Sequence, residues 1–238
     1  MLKAVTLKVF RFDPQIDEKP HFQEFDIPLR PRMTILDGLF YILEEQDHSL
    51  SFRFACREGV CGSCALFING SYRLACQTQF ANLQTEIVVV NPLPHLPLIK
   101  DLVVDMTPFF EKYELIMPYL KTLNAPPERE YLQSPKQRKK IKEVIDCILC
   151  GCCHSACPMT WTNKEYLGPA ALTKAYRFVA DSRDEASLER INIVSTEVGI
   201  WRCHTTFNCV EACPKMINPT ASIQALKRRT VAHWFKLR

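Results

Sequence analysis

Twelve cysteines in 238 residues constrain this chain more than any other feature of its sequence. They fall into three groups, which span residues 56–76, 147–157 and 203–213. The first residues contain no long apolar stretch and no small-residue cleavage site, so we expect no secretory signal and a reducing compartment. Because disulfides rarely persist under reducing conditions, the cysteines are expected to bind metal or iron–sulfur clusters.

The first cysteine group has the spacing Cys-x4-Cys-x2-Cys-x11-Cys, which is that of plant-type [2Fe-2S] proteins. The four predicted ligands are Cys56, Cys61, Cys64 and Cys76. Gly59 and Gly62 would allow the loop to turn tightly and its amides to approach the sulfurs. A zinc knuckle is the alternative, but zinc sites favour two short Cys-x2–4-Cys pairs.

The second and third cysteine groups are copies of one motif, displaced by 56 residues along the chain. Residues 147–158 have the bacterial ferredoxin spacing Cys-x2-Cys-x2-Cys-x3-Cys-Pro, and residues 203–214 repeat it with Thr206 in place of one cysteine. In two-cluster ferredoxins the fourth cysteine of a run ligates the other cluster. The predicted [4Fe-4S] ligands are therefore Cys147, Cys150, Cys153 and Cys213, and the predicted [3Fe-4S] ligands are Cys157, Cys203 and Cys209.

The third cluster could instead be a [4Fe-4S] cluster. Its fourth iron would then be bound by an oxygen or water ligand at the position of Thr206, and the three cysteine ligands would be the same. Eleven of the twelve cysteines are assigned in this way, and Cys152 is left over. We expect Cys152 to act as a small apolar residue packed beside a cluster.

Three clusters in one chain indicate a protein that transfers single electrons between partners. The sequence has no Gly-rich phosphate loop, so we expect no flavin or nucleotide on this chain itself. The net charge of +4 is too small to imply nucleic acid. No apolar run approaches the roughly 20 residues of a membrane-spanning helix, so the chain is not expected to cross a bilayer alone.

The first hundred residues combine strand patterns with one helix. Strands are predicted over Leu2–Phe12, His21–Ile27, Ala65–Ile68, Ser71–Ala75 and Glu86–Val90. A helix is predicted to begin after Thr34, and Asn69 with Gly70 indicates a hairpin turn. Prolines at positions 92, 94 and 97 predict a stiff connector, after which helix signals dominate. We therefore predict a [2Fe-2S] domain over residues 1–98 and a helical domain over residues 99–238.

Several stretches resemble the iron–sulfur subunits of the succinate dehydrogenase and fumarate reductase family, the respiratory complex II group. They are SFRFACREGVCGSC, LACQT, PLPHLPLIKDLVVDM, CILCGCCHSACP, YLGPAAL, RFVADSRD, WRCHTTFNCVEACPK and INPTASI. Together they cover the chain nearly from end to end. The resemblance implies an α+β protein, in which an N-terminal β-grasp plant-type ferredoxin domain is followed by an all-α bacterial-ferredoxin-like domain.

The resemblance also implies the electron-transfer subunit of succinate dehydrogenase (quinone), an enzyme of the tricarboxylic acid cycle. Electrons would pass from succinate-reduced FAD in a flavoprotein subunit through the [2Fe-2S], [4Fe-4S] and [3Fe-4S] clusters to membrane quinone. The implied partners include one or two hydrophobic membrane-anchor subunits, often with haem b. The implied location is the cytoplasmic face of a bacterial inner membrane, or the matrix face of the mitochondrial membrane.

By position in the family, the quinone site is expected to include Pro158, Trp161 and His204. An indole N–H and an imidazole beside a cluster could hydrogen-bond a quinone carbonyl. Packing for Trp161 and a structural hydrogen bond for His204 are the alternatives. Thr162 stands where some ubiquinone-using relatives have a second Trp, which leaves the type of quinone open. His204, where some fumarate reductases differ, favours succinate dehydrogenase.

Other functions compatible with the cysteine pattern are a fumarate reductase subunit that passes electrons from quinol to fumarate, and the same module in another quinone-linked dehydrogenase. A free multi-cluster ferredoxin and a structural zinc protein are more distant alternatives.

Basic runs at residues 136–142 and 227–238 are expected to be solvated helix faces. The second run has Trp234 and Phe235 beside it, so contact with anionic lipid or anchor subunits is the alternative there.

Overall fold

The structure is a computed structural model that describes residues 4–123 and 127–236, with no side chain described for Lys236. The described residues form two compact units. The first unit comprises Met1–Met106 together with Ile148–Ser155, and the second comprises Thr107–Cys147 together with Ala156–Arg238. Within the described part of the chain, no helix is long and apolar enough to cross a membrane.

The first unit contains a five-stranded mixed sheet with the strand order β2-β1-β5-β3-β4. Its strands are β1 (Ala4–Arg11), β2 (His21–Pro28), β3 (Ala65–Ile68), β4 (Ser71–Leu74) and β5 (Ile87–Asn91). β1 runs antiparallel to β2 and parallel to β5. Val5, Leu7 and Val9 of β1 are buried and alternate with partly exposed residues, which confirms the predicted period-two pattern.

Local sequence signals define the other elements of the sheet unit. Helix α1 (Ile35–Glu45) begins at a capping box, in which the side chains of Thr34 and Asp37 each accept a hydrogen bond from the other residue's backbone N–H. β3 and β4 form the predicted hairpin around Asn69 and Gly70, which both have positive φ. Short 3-10 turns follow at Ala75–Gln77 and Phe80–Asn82.

Residues after the proline connector remain part of the first unit, because a buried carboxylate ties them to β1. The carboxylate of Asp101 accepts hydrogen bonds from Arg11 Nε at 3.1 Å and from the backbone N–H groups of Phe12 and Ser51. Asp101 lies between the strands of a small hairpin, β6 (Leu98–Lys100) and β7 (Val103–Val104), which therefore belongs to the first unit. The unit therefore extends to Met106, beyond the predicted boundary at residue 98, and the predicted domains 1–98 and 99–238 stay a prediction.

Helices make up the second unit. Those within it are α2 (Thr107–Leu115), α3 (Pro135–Lys139), α4 (Lys142–Ile145), α6 (Pro158–Thr162), α7 (Gly168–Val179), α8 (Ser187–Val194), α9 (Asn208–Glu211) and α10 (Pro219–Lys236), whereas α5 (Cys152–Ser155) belongs to the first unit. α7 packs against α10, α8, α2 and α4. Leu172 and Ala175 of α7 share a buried core with Ile223 and Leu226 of α10.

A buried ion pair between Arg190 and Asp184 lies within the second unit. Arg190 of α8 is fully buried, and its Nη1 donates to the carboxylate of Asp184. Its Nη2 donates to the carbonyl oxygens of Tyr119 at 2.6 Å and Met117 at 3.1 Å, and its guanidinium lies over the Phe178 ring. The buried guanidinium therefore has a carboxylate and two carbonyl oxygens as hydrogen-bond acceptors.

Candidate iron–sulfur cluster sites

The loop that begins at Cys56 directs backbone amides at a cysteine sulfur. The N–H groups of Glu58, Val60 and Cys61 donate to Cys56 Sγ at 3.4, 3.3 and 3.3 Å. The N–H of Ser63 donates to Cys61 Sγ at 3.5 Å. Such a ring of amides stabilises a negatively charged sulfur, which is the form that binds iron.

Two thiols of this site, Cys56 and Cys64, have pKa values shifted in opposite directions. The hydrogen bond from Glu58 N–H, followed by those from Val60 and Cys61, lowers the pKa of Cys56 to about 6. Burial raises the pKa of Cys64 to about 12, and the neighbouring thiols of Cys76 and Cys61 contribute to this increase. The four predicted [2Fe-2S] ligands therefore lie together in the first unit, and their donor set fits a cluster that neutralises several thiolates at once.

Gly62 brings the same loop against the start of the internal repeat. Its φ is +77°, and a Cβ at this position would lie 2.9 Å from Cys150 Cα and 2.9 Å from the carbonyl oxygen of Ile148. Both neighbours are backbone atoms of the segment Ile148–Ser155, which belongs to the first unit. Only a residue without a side chain allows this approach, so the loop and the Cys150 segment are in direct contact.

Two polar contacts also hold the segment Ile148–Ser155 in the first unit. The hydroxyl of Tyr72 donates to the carbonyl oxygen of Ser155 at 3.2 Å. The hydroxyl of Ser155 donates to the carbonyl oxygen of Pro94. Cys152 in this segment is completely buried, as expected for a small packing residue.

The structure divides the predicted [4Fe-4S] ligands between the two units. Cys150 and Cys153 belong to the first unit, and Cys147 and Cys213 belong to the second. Within the second unit, Cys147 and Cys213 both pack against one small core, formed by Ile141, Val144, Ala180 and Ile217. These four cysteines stay a predicted ligand set.

The predicted [3Fe-4S] ligands all lie in the second unit. Burial raises the pKa of Cys209 to about 11, and the nearby Cys157 and Cys203 thiols contribute to this increase. Burial also raises the pKa of Cys157, although the N–H groups of Met159 and Thr160 oppose this by donating to its sulfur. Cys157 is the N-cap residue of α6, and its carbonyl oxygen accepts hydrogen bonds from the backbone N–H and the hydroxyl of Thr160. Two buried thiols, Cys157 and Cys209, with the partly exposed Cys203 close to both, fit a centre that binds all three as thiolates.

The backbone repeats itself where the sequence does. Leu149 and Thr205 occupy the same position of the two copies, and their φ values are 54° and 61°. Gly151 and Phe207 also correspond, with φ values of 83° and 64°. α5 and α9 then begin at equivalent residues, Cys152 and Asn208. The repeat is therefore one structural motif used twice, and Phe207 keeps a left-handed conformation that is costly for a bulky residue.

No disulfide is present among the twelve cysteines, all of which lie in the described ranges. In residues 4–123 and 127–236, no group of three or more His, Cys, Asp or Glu side chains could hold a metal ion. The cysteine ligands of an iron–sulfur cluster are distributed over two or more iron atoms, so this finding concerns single-ion sites.

Known proteins similar to this chain agree with both cysteine arrangements. The family described as "2Fe-2S iron-sulfur cluster binding domain" matches residues 6–111, and the "4Fe-4S dicluster domain" matches residues 139–214. The mitochondrial succinate dehydrogenase [ubiquinone] iron-sulfur subunit of Candida glabrata is 43% identical over 228 residues, which cover 94% of this chain and 90% of that protein. The mitochondrial succinate dehydrogenase [ubiquinone] iron-sulfur subunit 1 of Oryza sativa subsp. japonica is 44% identical over 228 residues, which cover 94% of this chain and 81% of that protein. The chain belongs to the succinate dehydrogenase iron–sulfur subunit family.

The fold of this family member also occurs in a solved structure. A chain of the Mycobacterium smegmatis Sdh1 complex in the apo form superposes with a TM-score of 0.85 at 24% identity, over 99% of this chain and 98% of that chain. The resemblance inferred from the sequence motifs is thus confirmed, as is the two-domain ferredoxin-like arrangement of mixed strand and helix content. The electron-transfer role and the iron–sulfur cofactors follow from membership of the succinate dehydrogenase iron–sulfur subunit family.

The residues expected at the quinone site lie beside the third cysteine set. Pro158 is the first residue of α6, and Trp161 on the same helix is 41% exposed. His204 follows Cys203 and is exposed. Arg202 Nη2 donates to Thr162 Oγ1 at 3.3 Å, so the loop before His204 contacts the helix that carries Trp161. These contacts are compatible with one shared site, whose binding role stays a prediction.

One face of α10, which the sequence did not indicate as functional, also contacts the third cysteine set. Thr220 Oγ1 lies 3.4 Å from Cys209 Sγ, and Gln224 Nε2 donates to Thr205 Oγ1 at 3.0 Å. Lys227 Nζ donates to the carbonyl oxygen of Cys203 at 2.9 Å. The spacing of these three α10 residues is helical, and that spacing is the only signal that could have indicated them.

Proposed function

We propose that this chain carries electrons from FAD in a flavoprotein subunit to membrane quinone, as the electron-transfer subunit of a succinate dehydrogenase. The observation that carries the proposal is the grouping of the cysteines. The proposed [2Fe-2S] ligands belong to the first unit, and the proposed [3Fe-4S] ligands belong to the second. When bound, iron–sulfur clusters accept and release single electrons.

The proposed ligand sets follow the spacing of the three groups. They are Cys56, Cys61, Cys64 and Cys76 for [2Fe-2S]; Cys147, Cys150, Cys153 and Cys213 for [4Fe-4S]; and Cys157, Cys203 and Cys209 for [3Fe-4S]. The amides directed at Cys56 support the first set, because they lower the pKa of that thiol and stabilise its thiolate. Contact between Gly62 and Cys150 supports the order of the first two clusters, because it shortens the path between them.

We further propose that quinone binds at Pro158, Trp161 and His204. Both ring side chains are exposed beside the third cysteine set, so a ligand could reach them. Their N–H groups supply donors of the kind that a quinone carbonyl accepts. Thr162 is engaged with Arg202 on this surface.

The partners and location follow from the same proposal. They are a flavoprotein with FAD, one or two hydrophobic anchor subunits, with or without haem b, and quinone. The chain would lie at the surface of the membrane on the cytoplasmic side in a bacterium, or on the matrix side in a mitochondrion.

We assign the first unit to the β-grasp class, because its mixed sheet has α1 between β2 and β3. The helices of the second unit support an all-α bacterial-ferredoxin-like class there.

Metal analysis and EPR of the purified complex test the proposal directly. We expect about 9 iron and 10 sulfide per chain, from one cluster of each type. The oxidised complex should show a signal near g = 2.01, which is typical of a [3Fe-4S] cluster, and succinate should abolish that signal by reducing the cluster. Zinc without iron, or clusters that succinate does not reduce, would contradict the proposal.

A further inference from the structure

One buried hydroxyl of the second unit has a cysteine sulfur as its hydrogen-bond partner. Thr220 is 3% exposed and Cys209 is 7% exposed, and their side-chain oxygen and sulfur atoms are 3.4 Å apart. A cysteine that ligates iron is a thiolate and has no proton to donate. The hydrogen of this contact must then come from the Thr220 hydroxyl.

The hydroxyl is held in place by the helix that carries it. Thr220 is the second residue of α10, and the N–H of Ala221 donates to Asn218 Oδ1 at 2.8 Å at the start of this helix. One and two turns further along, Gln224 and Lys227 bond the same cysteine loop. Thr220 is therefore the first of three contacts made by one face of α10.

We propose that Thr220 is a positioning residue that raises the reduction potential of the [3Fe-4S] cluster through its hydrogen bond to Cys209. The inference rests on the proposed assignment of Cys209 as a ligand of that cluster. Reduction adds one electron to the cluster, and the charge-assisted hydrogen bond is stronger to the more negative state. The reduced form is favoured as a result, so the last cluster draws electrons toward the quinone.

The test compares midpoint potentials of variants in the purified complex. Redox titration of the [3Fe-4S] EPR signal measures the potential of this cluster without any enzyme turnover. In Thr220→Val the ratio of reduced to oxidised cluster at a fixed ambient potential should fall roughly five-fold, or about 40 mV for a one-electron couple. Thr220→Ser keeps the hydroxyl and should restore most of the shift.

Thr230 provides a matched control on the same helix. It is completely buried, and its Oγ1 has no hydrogen-bond partner among the described residues. It lies about 15 Å further along α10, at 1.5 Å per residue. Thr230→Val therefore makes the same chemical change without removing a bond to sulfur, and we expect no change in potential.

The outcomes separate the two proposals. A wild-type complex without a [3Fe-4S] signal would refute the proposed ligand set. A normal signal whose potential is the same in wild type and Thr220→Val would overturn the role of Thr220 and leave the ligand set intact. If the valine variant does not retain the cluster, Thr220→Ala removes the hydroxyl with a smaller side chain and supports the same comparison.

Discussion

Replacement of Gly62 by alanine adds one methyl group and is expected to destabilise the sites of both the [2Fe-2S] and the [4Fe-4S] cluster. The new Cβ would lie 2.9 Å from Cys150 Cα, whereas carbon atoms in contact are normally about 3.5–4.0 Å apart. The overlap is with backbone, so no side-chain rotation can relieve it. The left-handed φ of +77° adds a second cost for any residue with a Cβ.

The magnitude follows from these two costs. A left-handed conformation costs an L-residue roughly 1–2 kcal/mol. Overpacking of a tight contact costs about 1–3 kcal/mol more. Gly62→Ala should therefore destabilise the first unit by about 2–5 kcal/mol, and each kcal/mol lowers the midpoint of thermal unfolding by about 2–4 °C in a chain of this length.

Gly70→Ala is the matched control for the backbone term. Gly70 has a φ of +75°, close to that of Gly62, but nothing lies within 4 Å of the position of its Cβ. Only the cost of about 1–2 kcal/mol for the left-handed conformation should appear in this variant. The difference between the two variants measures the overlap with the Cys150 segment.

The assay is the temperature at which the purified complex loses its [2Fe-2S] EPR signal. Gly62→Ala should lower this temperature about two to three times as much as Gly70→Ala does, from the costs above. Because Cys150 is a proposed ligand, Gly62→Ala should also alter the [4Fe-4S] signal, and Gly70→Ala should leave it unchanged. Equal losses in the two variants would refute the reasoning from close approach.

Three further predictions concern other parts of the chain. Trp161→Leu should slow quinone reduction by succinate and leave electron transfer to a soluble dye unchanged; unaltered quinone turnover would exclude the proposed role. Arg190→Met should cost about 3–5 kcal/mol in the free energy of unfolding, since it leaves the buried Asp184 carboxylate unpaired. The double variant with Asp184→Leu should recover part of that loss in thermal unfolding. Asp101→Ala should destabilise the first unit by about 2–5 kcal/mol, because Arg11 and two backbone N–H groups lose a buried acceptor; an unchanged unfolding midpoint would contradict this.

Short-range features of this protein could be predicted because they depend on neighbouring residues. Alternation of apolar residues in β1, the capping box at Thr34 and the Asn69–Gly70 turn all act within a few residues. The cysteine spacing belongs to the same class, because one tight loop must present several sulfurs to one cluster. The cysteine spacing, together with the longer stretches that resemble the family, was enough to predict the family and its two-domain ferredoxin-like arrangement, and the three ligand sets stay a prediction.

Only the tertiary structure decided which distant residues meet. Gly62 contacts Cys150, Asp101 binds Arg11, and Thr220 reaches Cys209, although none of these pairs follows from a local pattern. Asp101 holds the segment after the prolines in the first unit through hydrogen bonds to residues far away in the sequence. Contacts of this kind depend on how whole helices and sheets pack, and packing is a property of the complete chain rather than of any short stretch.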